Sequence, residues 1–396
     1  MTATVSPARP SAGDLVDRAL PPVLDVVREH AERTDQDAEF PIATLDALRG
    51  RGLLALLVPA EAGGPGGTLA DVLRASEALS RECMSVGMIF AMHCQQVAAV
   101  VAAAGPPLRA GLLPRLATGR HYLASVTTEA GKGGHLLSSS TASTAEGDRL
   151  HLDRFAPVVT GGPYADGFLV TMLAPGATSP NQVSLVYADA GQLELSVAGG
   201  WRPLGMRATH SVPMRLAGRV PADQVVGEPG AFRTIATTVF APYAHLGWSA
   251  CWLGAASGAL ARTVRLFRDP AERGRRDLAS ELLRLRLSRA RQRLDLVHAM
   301  LWHTAGVYSA PGTEVTAPPV QLLLNALKLT ASEQCLAAVD ELVELTGLRH
   351  GYLCDSPLWL ERTLRDLRSA SLNYANDRLH LADGSLVLLD PEVRLA

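Results

Sequence analysis

The sequence predicts an α+β fold in three parts: a helical N-terminal domain, a central antiparallel β-domain and a C-terminal helical bundle. Three observations predict it. Apolar residues recur at helical spacing before about residue 120. Short alternating runs cut by Gly, Pro, Asn and Asp fill residues 122–230, and helical spacing returns from Phe232. At 396 residues the chain is too long for one core, and a length prior divides it into two or three domains.

Taken in order, residues 1–12 read as a disordered tail and residues 13–121 as the helical domain, where Leu24, Val27, Ile42, Leu45, Leu48 and Leu53 set the helical period. A glycine-rich break at residues 59–71 ends with Thr68, an N-cap for one long helix, apolar almost all round, that runs to about residue 104. Residues 122–231 form the β-domain, with strand runs at 150–152, 168–172, 183–187 and 193–195. Residues 232–396 form the bundle: an arginine-rich helix over about 278–307, another over 320–346, and a last one from about 357 to 382.

Composition excludes several classes. A hydrophobic share of 47% with 19% charged residues is globular, and a formal net charge of −2 argues against nucleic acid or an anionic membrane as partner. The N-terminus has no apolar signal core, and no run of ~18 uncharged apolar residues is expected, so the reading is a soluble cytoplasmic protein. Five scattered cysteines without a CxxC pair read as reduced thiols and not as a metal site. There is no GxxxxGK[ST], GxSxG, HExxH or strand–GxGxxG–helix, and His298 and His303, five apart, do not share a helix face.

The most informative stretch is residues 123–168. Thr127-Thr128-Glu129 leads into a glycine-interrupted loop with Gly131, Gly133, Gly134 and His135, and two short strands then reach Val158-Val159-Thr160-Gly161-Gly162. Glycines admit backbone N–H groups to a flat or anionic ligand, and the hydroxyls between them give directional hydrogen bonds.

This stretch resembles the flavin-binding β-domain of the acyl-CoA dehydrogenase superfamily, and the resemblance extends over nearly the whole chain. Pro41…Leu45…Leu48…Gly52-Leu53…Val58-Pro59…Gly63-Gly64 resembles the family's helix-to-loop passage. The run Trp201-Arg202-Pro203-Leu204-Gly205-Met206-Arg207-Ala208-Thr209-His210-Ser211, then Val220-Pro221 and Val226-Gly227, resembles its β-domain exit. Leu360-Glu361-Arg362…Leu364-Arg365-Asp366 resembles its "ER…RD" passage. The resemblance implies a C-terminal four-helix bundle with FAD between bundle and β-domain. It implies Thr128 near the flavin pyrimidine edge, Thr160 offering its hydroxyl toward N5/O4, and backbone groups around Val126–Glu129 and Val158–Thr160 along the ring. Donors there stabilise an anionic reduced flavin.

The departures matter as much. Where the family reads TEPxAGSD, this chain has Gly134 for the Ser and His135 for the Asp. Glycine still offers a backbone N–H to a phosphate. His135 is either a solvent-facing loop residue or a contact to substrate or phosphate. Desaturation of an acyl thioester needs a carboxylate to take the α-proton. The family's two positions for it fall here on Tyr374 and Ala244, so neither has one. Replacement candidates are His245, Tyr374 and His93, the last being either a satisfied core histidine or a group facing the flavin. Tyr243 and Asn373, beside the two base positions, are expected to contact substrate. Arg268, in place of the family's "RxxFG…Q" element, and Gly347, in its adenine-side turn, are expected to reach the cofactor, which leaves FMN as an alternative to FAD.

Residues 262–293 carry eleven arginines against four acids, either a solvated helix face or a landing surface for an anionic partner such as CoA or an acyl carrier protein. The leading expectation is a flavin-dependent oxidoreductase that oxidises a CoA- or carrier-bound acyl group in a specialised, secondary-metabolic pathway. It would pass electrons to a partner protein or O2 as a homodimer or homotetramer. The rivals are a two-component flavin monooxygenase on the same fold and an inactive partner subunit. No metal is expected.

Overall fold

The computed structural model describes residues 12–131, 135–272 and 277–396. The expected tail therefore lies almost wholly outside the described residues, as do Gly133 and Gly134. Five helices come first: α1 (Ala12–Asp37), α2 (Ile42–Gly50), α3 (Leu69–Glu82), α4 (Met84–Ala103) and α5 (Pro106–Ala117). Thr68 caps α3 in a reciprocal capping box with Asp71. The single long helix expected here is two, because Cys83 takes an extended conformation between them. α4 also corrects the expectation that no long apolar run exists. It is long and apolar enough to cross a membrane, yet most of it is buried inside the protein, as a core helix is.

The β strands follow: β1 (Leu123–Val126), β2 (Thr144–Glu146), β3 (Arg149–Val159), β4 (Gly167–Leu173), β5 (Val183–Asp189), β6 (Leu193–Val197), β7 (Val212–Pro221) and β8 (Val225–Val226). They make two four-stranded sheets, ordered β1-β4-β5-β8 and β2-β3-β7-β6. Pairing is antiparallel except between β1 and β4, which run parallel. Their inner faces share one apolar core with α1, α2, α4 and α5.

The C-terminal part holds α6 (Phe232–Ile235), α7 (Ala241–Arg268), α8 (Glu281–Ser309), α9 (Pro318–Gly347), α10 (Leu360–Leu367) and α11 (Asn376–Val387). A second core joins α7, α8, α9 and α10 to α3 and α4. Gly254 and Gly258 let α7 lie directly on α3, since a Cβ at Gly254 would sit 2.2 Å from the Glu77 carbonyl oxygen. The expected last helix is also divided. Turns at residues 368–375 separate α10 from α11, and Tyr374 there adopts φ +48°. No Gly or Pro at residues 368–375 marks that break in sequence.

Two motifs that are weak singly meet in space. Asp366 of α10 accepts a hydrogen bond from the Met206 backbone N–H at 2.5 Å, and a Cβ on Gly205 would lie 2.1 Å from the Arg365 carbonyl oxygen. Arg365 bridges Asp35 of α1 and Glu361, while Arg207 donates to the Asp35 and Gln36 carbonyls. The β-domain exit, α1 and α10 are thereby clamped together.

Candidate active site

The frame expected to hold a flat ring is built at the junction of β1 and β3. Just past β1, the Thr128 hydroxyl donates to the Val158 carbonyl at 2.8 Å and accepts from the Val158 N–H at 3.2 Å, which staples the two chain segments. The Val158 side chain is left 40% exposed, an apolar surface beside that staple. The Thr160 hydroxyl is bonded inward, in correction of the expectation that it faces outward. It lies 3.0 Å from the Ser211 hydroxyl, which lies 2.8 Å from that of Thr209. Thr209 donates its only proton to the Met206 carbonyl at 2.8 Å. The direction of the chain follows: Thr160 to Ser211 to Thr209 to Met206.

The Glu129 side chain is the centre of a buried clamp. Its carboxylate pairs with Arg154 of β3 at 3.1 Å and accepts from the Ser140 N–H and the hydroxyls of Ser140 and Thr141. Arg154, 1% exposed, also donates to the Thr128 carbonyl at 2.9 Å. A buried charge is held this way because both partners are desolvated and bonded. Val126 is buried at the end of β1, where the Thr171 hydroxyl occupies its carbonyl, and His135 is exposed beyond the glycine loop. Sequence reasoning missed Arg154. Its signal was parity: on β3 it shares the buried face with Leu150, Leu152 and Ala156.

The second wall lies where α7, α9 and the 368–375 turns meet. The two family base positions converge there, since the rings of Tyr374 and His245, next to Ala244, are edge-on with centroids 5.9 Å apart. Trp248 packs on Tyr374 at 5.5 Å. Behind them Lys328 of α9, fully buried, donates to the Tyr374 carbonyl at 3.0 Å and to Asn376 Oδ1 at 2.6 Å, and lies 5.8 Å from the Trp252 ring centre. Burial draws the Lys328 ammonium down to about 8. Burial, and then the charge of Lys328, push His245 down to about 3. Burial pushes Tyr374 and Tyr243 up. Neither His245 nor Tyr374 is therefore an able base at neutral pH. Tyr243 packs edge-on against Tyr308, and Asn373 is half-buried in the turn, its N–H bonded to the Ser369 carbonyl.

A π-helical segment, residues 236–240, sits directly before α7, a form frequent at functional sites. Tyr308 and Gln95 bond its Thr238 and Phe240 carbonyls, and Gln321 bonds that of Thr237.

His93 belongs to the core: one ring nitrogen is 2.8 Å from the Leu54 carbonyl and the other accepts the Leu123 N–H at 3.0 Å, so neither is free for chemistry. Burial holds it at about 4, neutral as a linchpin between α4 and β1. Arg268 and Gly347 lie at the far end of the bundle. Arg268 is 23 residues beyond His245 on α7, roughly 35 Å at the helical rise. Among the described residues of the arginine-rich stretch, Arg286 and Arg293 tie α8 to Glu341 and Gln334 of α9, and Arg262 lies over the Trp359 ring.

A stapled strand junction and an apolar shelf at Val158 fit a flat ring, and the aromatic side chains of α7 and the 368–375 turns fit its substrate. That defines a flavin-dependent oxidoreductase. The descriptions "Acyl-CoA dehydrogenase, N-terminal domain" and "Acyl-CoA dehydrogenase, C-terminal domain" match residues 15–120 and 237–373, and the chain belongs to the acyl-CoA dehydrogenase family. It is 24% identical over 366 residues to the probable acyl-CoA dehydrogenase FadE25 of Mycobacterium tuberculosis, covering 92% of this chain and 91% of that one. It is 25% identical over 354 residues to the probable acyl-CoA dehydrogenase YngJ of Bacillus subtilis, covering 86% and 88%. Among solved structures it is similar to butyryl-CoA dehydrogenase from Megasphaera elsdenii (TM-score 0.81, 18% identity, 98% and 100% covered). FMN-bound TdsC from Paenibacillus sp. A11-2, a dibenzothiophene monooxygenase, superposes at TM-score 0.83 with 21% identity, covering 96% and 98%. The prolyl acyl carrier protein oxidase AnaB superposes at 0.79 with 19% identity, covering 95% and 97%. The cofactor is a flavin, FAD as in the family, with FMN as the alternative.

Proposed function

We propose that this protein oxidises an acyl group carried as a thioester on CoA or an acyl carrier protein, in a specialised pathway. The observation that carries the reading is the intact flavin frame, Thr128 on Val158 and Thr160 on Ser211, inside a chain that matches both helical domains of the family. Bound flavin supplies the acceptor for a hydride. This chain's part is to orient the acyl group against the frame, exclude water with Tyr374 and Trp248, and hold the substrate's polar atoms. A carrier-bound substrate also suits the aromatic wall, which has no carboxylate at either family position.

That same missing carboxylate favours a second reading, a two-component monooxygenase, which needs a dry aromatic pocket more than a base. Arg268 and Gly347, at the C-terminal ends of α7 and α9, suit contact with the adenine half of FAD held by a second copy, hence a homodimer or homotetramer. Five thiols suit the cytoplasm. The test is anaerobic mixing of flavin-loaded protein with a panel of acyl-CoA and acyl-carrier thioesters. Bleaching of the visible flavin band is the expected result. No bleaching, with turnover that requires a flavin reductase and O2, would establish the second reading instead.

A further inference from the structure

His245, Trp248 and Trp252 are spaced by three and four residues on α7, so their rings form one face of the helix, toward α9 and the 368–375 turns. Each carries a fully buried ring nitrogen without a hydrogen-bond partner among the described residues: Nδ1 of His245 and Nε1 of both tryptophans. Buried polar atoms are nearly always paired, so three on one stripe ask for a ligand. The ring of Tyr374 closes this stripe, 5.9 Å from His245 and 5.5 Å from Trp248.

The tautomer of His245 follows from its surroundings. The Leu324 carbonyl on α9 takes a hydrogen bond from the ring, and Nδ1 is the unpartnered nitrogen, so Nε2 carries the proton. Nδ1 then presents a lone pair. Burial, and after it the charge of Lys328, oppose a second proton, and the ring remains an acceptor at neutral pH. Trp248 Nε1 is a donor and nothing else. One unpaired acceptor and, three residues on along the same helix face, one unpaired donor are the complement of a hydroxyl, which donates once and accepts twice.

We infer that this stripe is a recognition subsite for an acyl group bearing a hydroxyl near its oxidised end, with His245 Nδ1 accepting from that hydroxyl and Trp248 Nε1 donating to it. The subsite rests on the thioester reading, because it is placed at the reacting end by the two family base positions, Ala244 and Tyr374. It assigns His245 to substrate selection and not to proton abstraction. It also explains a histidine whose neutral form is enforced by burial and by a neighbouring cation.

The test is equilibrium binding to the flavin-loaded protein at neutral pH. The probes are S-hexanoyl-pantetheine and its 3-hydroxy and 4-hydroxy derivatives. The better hydroxylated probe should bind roughly tenfold tighter or more, as when a buried acceptor gains its donor. His245→Phe should bring that ratio to about one, and His245→Asn, whose side-chain oxygen replaces Nδ1, should keep most of it. Equal binding of all three probes to the wild-type protein overturns the subsite and means that a trapped water fills the stripe. A preference that survives His245→Phe overturns it too. Should that variant not fold, Trp248→Phe decides, with an unchanged ratio counting against the subsite. If no thioester binds, the thioester reading fails separately, and free 3-hydroxyhexanoate against hexanoate repeats the comparison. A preference for the hydroxy acid then supports the subsite, and equal binding overturns it.

Discussion

The β1–β3 junction and the α7 wall are built on opposite terms. At the junction nearly every buried polar group is answered within the chain: Glu129 by Arg154 and three hydroxyl or N–H donors, Thr128 by Val158, Thr160 by Ser211. Arg154 Nε is the exception. On α7, His245, Trp248 and Trp252 each keep a buried nitrogen unanswered. A satisfied network is rigid and holds its shape whatever is bound, whereas an unsatisfied one gains from a ligand. The first region is a cradle for a constant cofactor, and the second is where substrates are told apart.

The largest effect that would break this contrast is expected at Arg154. Arg154→Met leaves Glu129 as a buried charge without its cation, at a cost of about 3–5 kcal/mol in stability. Adding Glu129→Gln should recover a substantial part, measured by chemical denaturation of the single and double variants. Full additivity of the two changes would show that the pair does not act as a clamp.

Asp366, which anchors Met206 below Thr209, gives a pH test. Burial, with Asp35 adding repulsion, raises its carboxyl to about 7 from the ordinary 3.8. A raised acid binds its proton more tightly folded than unfolded, so its contribution is complete below about 4 and is lost as pH rises through about 7. Asp366→Asn, which keeps an acceptor for the Met206 N–H, should flatten the slope of Tm against pH in that window. An unchanged slope would remove Asp366 as its source.

A smaller effect should follow at Ser211. Ser211→Ala releases the Thr160 hydroxyl to turn outward, and one hydrogen bond of about 1 kcal/mol corresponds to a two-electron shift of roughly 20 mV upward in the bound flavin's potential. Redox titration against a dye reads it, and no shift would detach the hydroxyl chain from the cofactor. The smallest effect is expected at the exposed Arg219–Glu146 pair, where Arg219→Ala should leave both the denaturation midpoint and the visible flavin spectrum unaltered.

How much of this the sequence carried depends on range. Helical period and strand alternation are local, and they marked the three-part order well. The breaks at Cys83 and around Tyr374 were illegible because non-glycine residues adopt those conformations under tertiary packing. The parallel pairing of β1 with β4 was hidden for a like reason, since pairing sense is set by a partner more than forty residues away. For the site, the threonines of the frame were legible as motif. His93 misled because a histidine on an apolar helix reads alike whether it faces a cofactor or two backbone groups. Lys328 and Trp248 gave no signal, because only the fold brings α9 and α7 to the turn at Tyr374.

The separation of cradle from selecting wall is tested most directly by titrating FAD and FMN into three apo-proteins: wild type, Arg154→Met and His245→Phe. The account predicts that His245→Phe binds flavin within about threefold of wild type, well under 1 kcal/mol, while Arg154→Met loses most of its affinity. Equal weakening in both variants, or no weakening in either, would contradict it.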